Sequence, residues 1–509
     1  MNRGGIERLK LLKNPAWLFG GALVFLALVI AVVSSSAAVG VFLGGLIFIA
    51  ALFFPLQVLF ALLCYLPFEP FLLKFLSDEF FLYAKYGSEV LIYLLFLIAF
   101  VRRLIRTKWS FSKFDYPVLA LLVALLVSAL INQESPMIAV FGVRQIIRFV
   151  FLFYIVYWLE PSVTWLKKLL LALLSIAIFE SLLGLAQTVF GQRLTNFLSP
   201  GAARFAEGIQ VSGSQIETWE PTRRVFGTMG RYDQLGTFLA PVLLFGLAYL
   251  YEAKNYWKRY REWAPLAILG LVALALSYSR SAWIGFALGF MLITLGLKRD
   301  RRVWIYGGIG AAVLAVVILF SGTLSSTLTA YPGQTLTERF LELFSYERYR
   351  GEYYGLGRLY WMVQTPAKVV ADSPIFGVGP GMFGGGVAAA LKNTTAYEIL
   401  GLPFGVYGSE GYIDNNWFSL WGEIGTLGLI VFLWLWWVLG REALMLYRRS
   451  ADEFSKTLAL GFLGFMAAFA LNGLLATMFE IRTIAPYFWA LGGAIMLLNH
   501  RASLKSLSP

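Results

Sequence analysis

Residues 264–297, APLAILGLVALALSYSRSAWIGFALGFMLITLGL, are two apolar runs with a single charged side chain, Arg280, between them. Each run is close to the length a helix needs to cross a hydrocarbon core of ~30 Å at ~1.5 Å per residue. A charge at mid-bilayer is costly, so Arg280 is expected where two spans meet at a membrane surface. Working outward, the same pattern recurs near 15–34, 37–53, 55–68, 87–101, 116–131, 138–157, 165–190, 234–251, 303–321, 415–439, 457–478 and 486–499, which with 264–279 and 281–297 predicts about 14 spans (about 12 to 14 if Pro55 merely kinks one helix). Composition agrees. Of 509 residues 59% are hydrophobic and 14% charged, against roughly 25% charged in soluble domains, and the mean hydropathy is +0.71. A soluble enzyme is excluded, and an all-α polytopic membrane protein is predicted.

The net charge of +13 would suggest nucleic acid in a soluble protein. Here membrane topology accounts for it, and no nucleic-acid partner is expected. With fourteen spans, most of the 42 basic residues gather in the short segments 3–13, 102–113, 167–168, 254–261, 298–302, 441–456 and 501–505, which the positive-inside rule assigns to the cytoplasm. Both termini are therefore expected in the cytoplasm, with no cleaved signal peptide. The one cysteine, Cys64, cannot form an internal disulfide, and the one histidine, His500, argues against a site built from several histidines. No cofactor and no metal ligands are expected.

Two predicted outer segments, 191–233 and 322–414, are too long to be connectors, and loops of such length usually carry function. The larger reads as helix over 336–349 and 358–371, then breaks at Asp372-Ser373-Pro374 and the glycine-rich run 377–386. Its apolar and aromatic content predicts a cap against the membrane surface. Gly377-Val378-Gly379-Pro380-Gly381 follows no strand, so it reads as a turn that uses positive φ rather than as a nucleotide loop. No Walker loop, His-Glu-x-x-His or Gly-x-Ser-x-Gly is present. Arginines on the outer side stand out instead: Arg280, Arg144 and Arg148 four residues apart on one helix face, and Arg224 and Arg358 from the two long segments. Each could pair with a local carboxylate or a lipid headgroup. Converging, they would bind a diphosphate, because a guanidinium presents a planar fork to phosphate oxygens and keeps its charge when desolvated.

Three stretches together resemble the O-antigen ligases and O-antigen polymerases. They are Ser279-Arg280-Ser281-Ala282-Trp283; Gly357-Arg358-Leu359-Tyr360-Trp361 followed by the 373–381 loop; and Asp414-Asn415, followed after nine intervening residues by Gly425 and then Gly428, with Glu423 at an acidic position. The resemblance covers about 264–440. It divides the chain into a transmembrane bundle 1–263 with outer loop 191–233, a ligase/polymerase-like core 264–440 with outer loop 322–414, and a C-terminal transmembrane pair with a tail, 441–509. Ligases of the family carry His where this chain has Asp414, which inclines the resemblance to the polymerase branch.

The implied donor is an undecaprenyl-diphosphate-linked glycan and the acceptor a second glycan, with membrane lipids and other polysaccharide-assembly proteins as candidate partners. The resemblance implies that Arg280 and Arg358 bind the diphosphate and that Asp414 takes or orients the acceptor proton, with inversion and without metal. Arg144, Arg148, Arg224, Glu410 and Asn415 are candidate substrate-binding residues, Glu410 being also the alternative base. As a competing reading, Asp414 is the N-cap of the twelfth span. Ligation to lipid A-core or to protein hydroxyls, a transporter, and a scaffold without chemistry are the other functions weighed. A transporter would be expected to carry ionisable or helix-breaking residues at mid-bilayer in paired halves, whereas these charges gather at the outer edge.

Overall fold

The computed structural model describes residues 35–106, 111–201, 204–206, 209–212, 224–320, 334–406 and 413–507. Among them, helices dominate: α1 (Ser35–Phe53), α2 (Pro55–Tyr65), α3 (Glu69–Leu73), α4 (Asp78–Arg106), α5 (Asp115–Ile131), α6 (Pro136–Ile147), α7 (Val150–Leu159), α8 (Val163–Phe190) and α9 (Gln192–Leu198) in the first part. After a two-stranded antiparallel ribbon, β1 (Arg204–Ala206) and β2 (Ile209–Ser212), come α10 (Tyr232–Tyr251), α11 (Tyr256–Leu276), α12 (Arg280–Met291) and α13 (Arg301–Phe320). Short helices follow: α14 (Leu336–Leu341), α15 (Tyr346–Tyr354), α16 (Arg358–Gln364), α17 (Gly385–Ala390) and α18 (Thr395–Leu400). The long helices α19 (Asn416–Arg449), α20 (Glu453–Leu475) and α21 (Ala485–Leu507) close the chain. The small ribbon is a local exception to the all-α expectation.

Seven helices among the described residues are long and apolar enough to cross a membrane, eight if the bent pair α6 and α7 counts as one span. The protein is a polytopic, predominantly helical membrane protein. The predicted span 15–34 lies outside the described residues. Pro55 separates α1 from α2 instead of kinking one helix: Phe54 has φ −127° and ψ 52°, and Pro55 occupies the first turn, where its missing N–H costs nothing. The predicted span 138–157 is bent by 54° between α6 and α7, with Arg148 at the break. The helix expected over 336–349 is two helices, because Ser345 stops the first and caps the second by accepting from the Arg348 N–H.

Lipid offers no hydrophobic gain for joining two apolar helices, so close contact depends on small residues. On α12, a Cβ at Gly285 would meet the Asn472 amide at 2.7 Å, and one at Gly289 would meet the Gly464 carbonyl at 2.7 Å. These two glycines seat α12 on α20. A Cβ at Gly236 on α10 would come within 2.8 Å of Ala282, so the starts of α10 and α12 lie side by side. Between α19, α20 and α21 the core is aromatic, with the rings of Trp436, Phe469 and Phe488 4.7 to 6.0 Å apart and Trp436 stacked on both phenylalanines. This packing brings the N-terminal ends of α10, α12 and α19 to one end of the bundle.

Candidate active site

The glycine-rich loop and α19 are built as one unit. Gly425 has φ 65° and breaks α19 internally, which strands carbonyls on one side of the break and N–H groups on the other. The loop satisfies both sets. Val378 and Gly379 donate to the carbonyls of Gly422 and Glu423 at 2.9 and 2.8 Å, while Pro374 and Ile375 accept from Thr426 and Leu427 at 3.0 and 3.2 Å. A Cβ on Gly425 would lie 2.3 Å from the Ile375 carbonyl oxygen, and one on Gly377 2.4 Å from that of Gly422. Both glycines also have positive φ, so the turn expected at 377–381 is present. Ser128 of α5 and Asn132, the residue that ends it, brace the loop through the carbonyls of Phe376 and Gly377 at 2.6 and 3.0 Å.

The start of α19 lies one short stretch before this junction. Asn415, not Asp414, is its N-cap: the Asn415 side chain accepts from the Phe418 N–H at 3.1 Å and donates to the Leu474 carbonyl at 2.8 Å. Of the two readings weighed for Asp414, the capping one is therefore corrected, because the helix begins one residue later. Asp414 instead receives two hydrogen bonds from Arg358, from Nε at 2.9 Å and Nη2 at 2.6 Å, both to Oδ2. The pair is about one-third exposed. Burial pulls the Arg358 guanidinium down, but the charge and hydrogen bonds of Asp414 outweigh it and raise it above its ordinary range. Glu410 lies outside the described residues.

Arg280 opens α12, whose N-cap Ser279 accepts from the Ala282 N–H, and the Trp283 indole ties the turn back to the Leu274 carbonyl at 2.7 Å. The Arg280 guanidinium meets Glu342 at 2.8 Å. Glu342 also contacts Arg339 at 3.0 Å and Arg348 at 3.5 Å, and accepts from the Gln334 amide at 3.0 Å. Burial works to raise the Glu342 carboxyl, yet the three arginines outweigh it and hold it below its ordinary value. Arg224 joins the cluster because Val225 donates to the Leu276 carbonyl at 3.2 Å, and its guanidinium lies 4.3 Å from the Tyr232 ring. Burial, then the nearby charge of Arg224, lower the Arg339 guanidinium. Glu352, 3.2 Å from Arg348, lies close enough to Arg280 and Arg358 for its charge to act on both. Arg224 and Arg358 thus lie near Tyr232, and Arg280 and Arg358 near Glu352.

Arg144 and Arg148 belong to a second cluster. Arg144 holds the Glu89 carboxylate through two hydrogen bonds, and Arg148 lies 3.7 Å from the same carboxylate and donates to the Glu480 carbonyl at 2.5 Å. Arg482 completes it, bonded to Glu69 at 3.1 Å and to Ser88 at 3.2 Å. The clusters are linked through α19: Asn416, two residues after Asp414, donates to Glu480 at 3.3 Å, and the Glu480 carboxylate receives the Gly386 N–H at 2.9 Å. Sequence reasoning overlooked Arg339, Arg348, Glu342, Arg482 and Glu89. Arg482 lies between two apolar runs as Arg280 does, and 337–358 is dense in charge, so both signals were there.

The break in α19, the loop that repairs it, the capped start of α12 and the Arg358–Asp414 pair all fall within or beside one segment. Residues 265–433 match the family model described as O-antigen ligase. This region belongs to the O-antigen ligase family. It marks the chain as an O-antigen ligase-like membrane enzyme. No curated protein matches the chain. Within the O-antigen ligase region, two of the stretches that carried the resemblance meet in space: the loop after Trp361 crosses α19 at Gly425, and Arg358 reaches Asp414.

Proposed function

We propose that the protein polymerises oligosaccharide repeat units carried on undecaprenyl diphosphate, by inverting glycosyl transfer at the outer face of the cytoplasmic membrane. The observation that carries this reading is the Arg358–Asp414 pair, standing beside the arginines around Arg280. Both Arg358 bonds end on Oδ2, which leaves Asp414 Oδ1 for the acceptor hydroxyl and Arg358 Nη1 for the donor. The acceptor oxygen attacks the anomeric carbon from the face opposite the diphosphate. The bond from that carbon to the diphosphate oxygen breaks with its electron pair going to the diphosphate, and the hydroxyl proton passes to Asp414. Arg280, Arg358 and Arg224 stabilise the charge growing on the leaving group, as preorganised donors do, which assigns to guanidinium groups the work that other transferases give to a metal ion.

The same proposal includes about fourteen spans, both termini in the cytoplasm and segment 322–414 outside, since a flipped lipid-linked donor is reachable only there. Asn415 fixes the position of Asp414 as the helix cap, while Arg144 and Arg148 support the site through Glu480 and Asn416. Asp414 in the place of a histidine favours polymerisation over ligation. The glycan ladder of a strain lacking the protein tests this: loss of long chains with single-repeat products retained identifies a polymerase, whereas loss of all surface-attached glycan identifies a ligase.

A further inference from the structure

Glu342 is 4% exposed and sits on a three-residue turn, Glu342–Phe344, between α14 and α15. Its carboxylate is surrounded. Arg280 and Arg339 approach Oε2 at 2.8 and 3.0 Å, Gln334 donates to the same oxygen at 3.0 Å, and Arg348 approaches Oε1 at 3.5 Å. Three guanidinium groups from α12, α14 and α15 therefore converge on one carboxylate carrying a single negative charge. Arg339 further donates to the Gln334 side-chain amide oxygen at 3.3 Å, and Arg348 shares itself with Glu352 at 3.2 Å. A buried carboxylate that served only to anchor one arginine would need one partner. Three forks aimed at one point suit an anion with more oxygens and more charge than a carboxylate has.

We propose that Glu342 is the resident anion of a diphosphate site formed by Arg280, Arg339 and Arg348, and that it is displaced when the lipid-linked donor enters. This rests on the reading of Arg280 as a donor-binding residue, and it adds Arg339 and Arg348 to that site. In the resting protein Glu342 balances part of the positive charge and holds the forks in place. When the donor arrives, its two phosphate groups take over the guanidinium groups and the carboxylate leaves them. Glu342 thus competes with the ligand, so removing its charge strengthens anion binding, whereas removing a carboxylate that only shapes the site would weaken it.

The test uses the purified full-length protein in detergent, titrated with inorganic pyrophosphate by calorimetry. Glu342→Gln should bind pyrophosphate about tenfold more tightly than the unchanged protein, the scale of one lost competing charge contact. It should also melt at a lower temperature without ligand and recover that loss when pyrophosphate is added. Glu342→Asp keeps the charge but shortens its reach, and should bind more tightly by a smaller factor, which gives a second reading from a variant that retains the counter-ion. Arg339→Ala and Arg348→Ala should each bind several-fold more weakly. Equal or weaker pyrophosphate binding in Glu342→Gln and Glu342→Asp overturns the proposal. Glycan transfer by Arg280→Ala separates the two readings: if transfer is lost while Glu342→Gln binds no more tightly, the function stands and the displaced anion fails. If Glu342→Gln binds more tightly while Arg280→Ala transfers normally, the anion site stands and the assigned reaction fails.

Discussion

Arg358 and Asp414, 56 residues apart in the chain, are joined by two hydrogen bonds that end on a single carboxylate oxygen. The residue after Asp414 caps α19, so the proposed reaction chemistry and the helix capping fall on different side chains. Asp414→Asn should lose roughly 10²–10⁴-fold in transfer, the share that proton handling usually contributes, with little change in melting temperature. Asn415→Ala should instead cost about 1 kcal/mol of stability, as lost caps do. Full transfer by Asp414→Asn, measured with lipid-linked donor, would move the base elsewhere.

Arg280→Ala and Arg358→Ala should abolish transfer while the protein still inserts in the membrane. Lysine at either position should restore only part of the activity, because an ammonium lacks the fork that meets two oxygens at once. For Arg358 the lysine variant also loses one of the two bonds to Asp414. Transfer rates of both alanine variants equal to the unchanged protein would remove the diphosphate from this site.

Gly425→Ala should disrupt the candidate site without touching any charged group in it. The new Cβ would lie 2.3 Å from the Ile375 carbonyl oxygen at a residue with φ 65°, and strain with overpacking of this kind costs at least roughly 2 kcal/mol. A fall in melting temperature together with a loss of transfer is expected. Unchanged behaviour in both assays would mean that the crossing of the loop and α19 is not required.

Burial lifts the Glu134 carboxyl from 4.5 to about 7. The unfolded chain therefore ionises this group before the folded protein does. Below pH 4.5 both states hold the proton and Glu134 contributes nothing; between 4.5 and about 7 folding loses stability as pH rises; above that the loss is constant. Glu134→Gln should thus match the unchanged protein in acid and melt at progressively higher temperature relative to it up to about pH 7. Parallel melting curves across that range would refute the shift.

Cysteine labelling in whole cells, after replacing Cys64, should modify positions within 334–406 from outside and positions within 253–263 only after the membrane is opened. The opposite pattern would put the arginines on the side where a flipped donor is absent.

The sequence alone determined that this is a helical membrane protein, since a run of apolar residues can satisfy its backbone in lipid only as a helix, and it located the stretches around Arg280, Arg358 and Asp414. The turn at 377–381 was also legible, because glycine at positive φ is a local property. What tertiary structure decided is which charges meet. Glu342 selects Arg280, and Glu89 selects Arg144 and Arg148, through contacts up to 62 residues apart in the chain (Glu342 with Arg280) that no local spacing encodes. The cap fell to Asn415 rather than Asp414 because Asn415 is tied to the Leu474 carbonyl while Asp414 is taken by Arg358. An arginine's pairing depends on which helix ends share a side of the bundle, and that is set by packing such as Gly285 and Gly289 against α20.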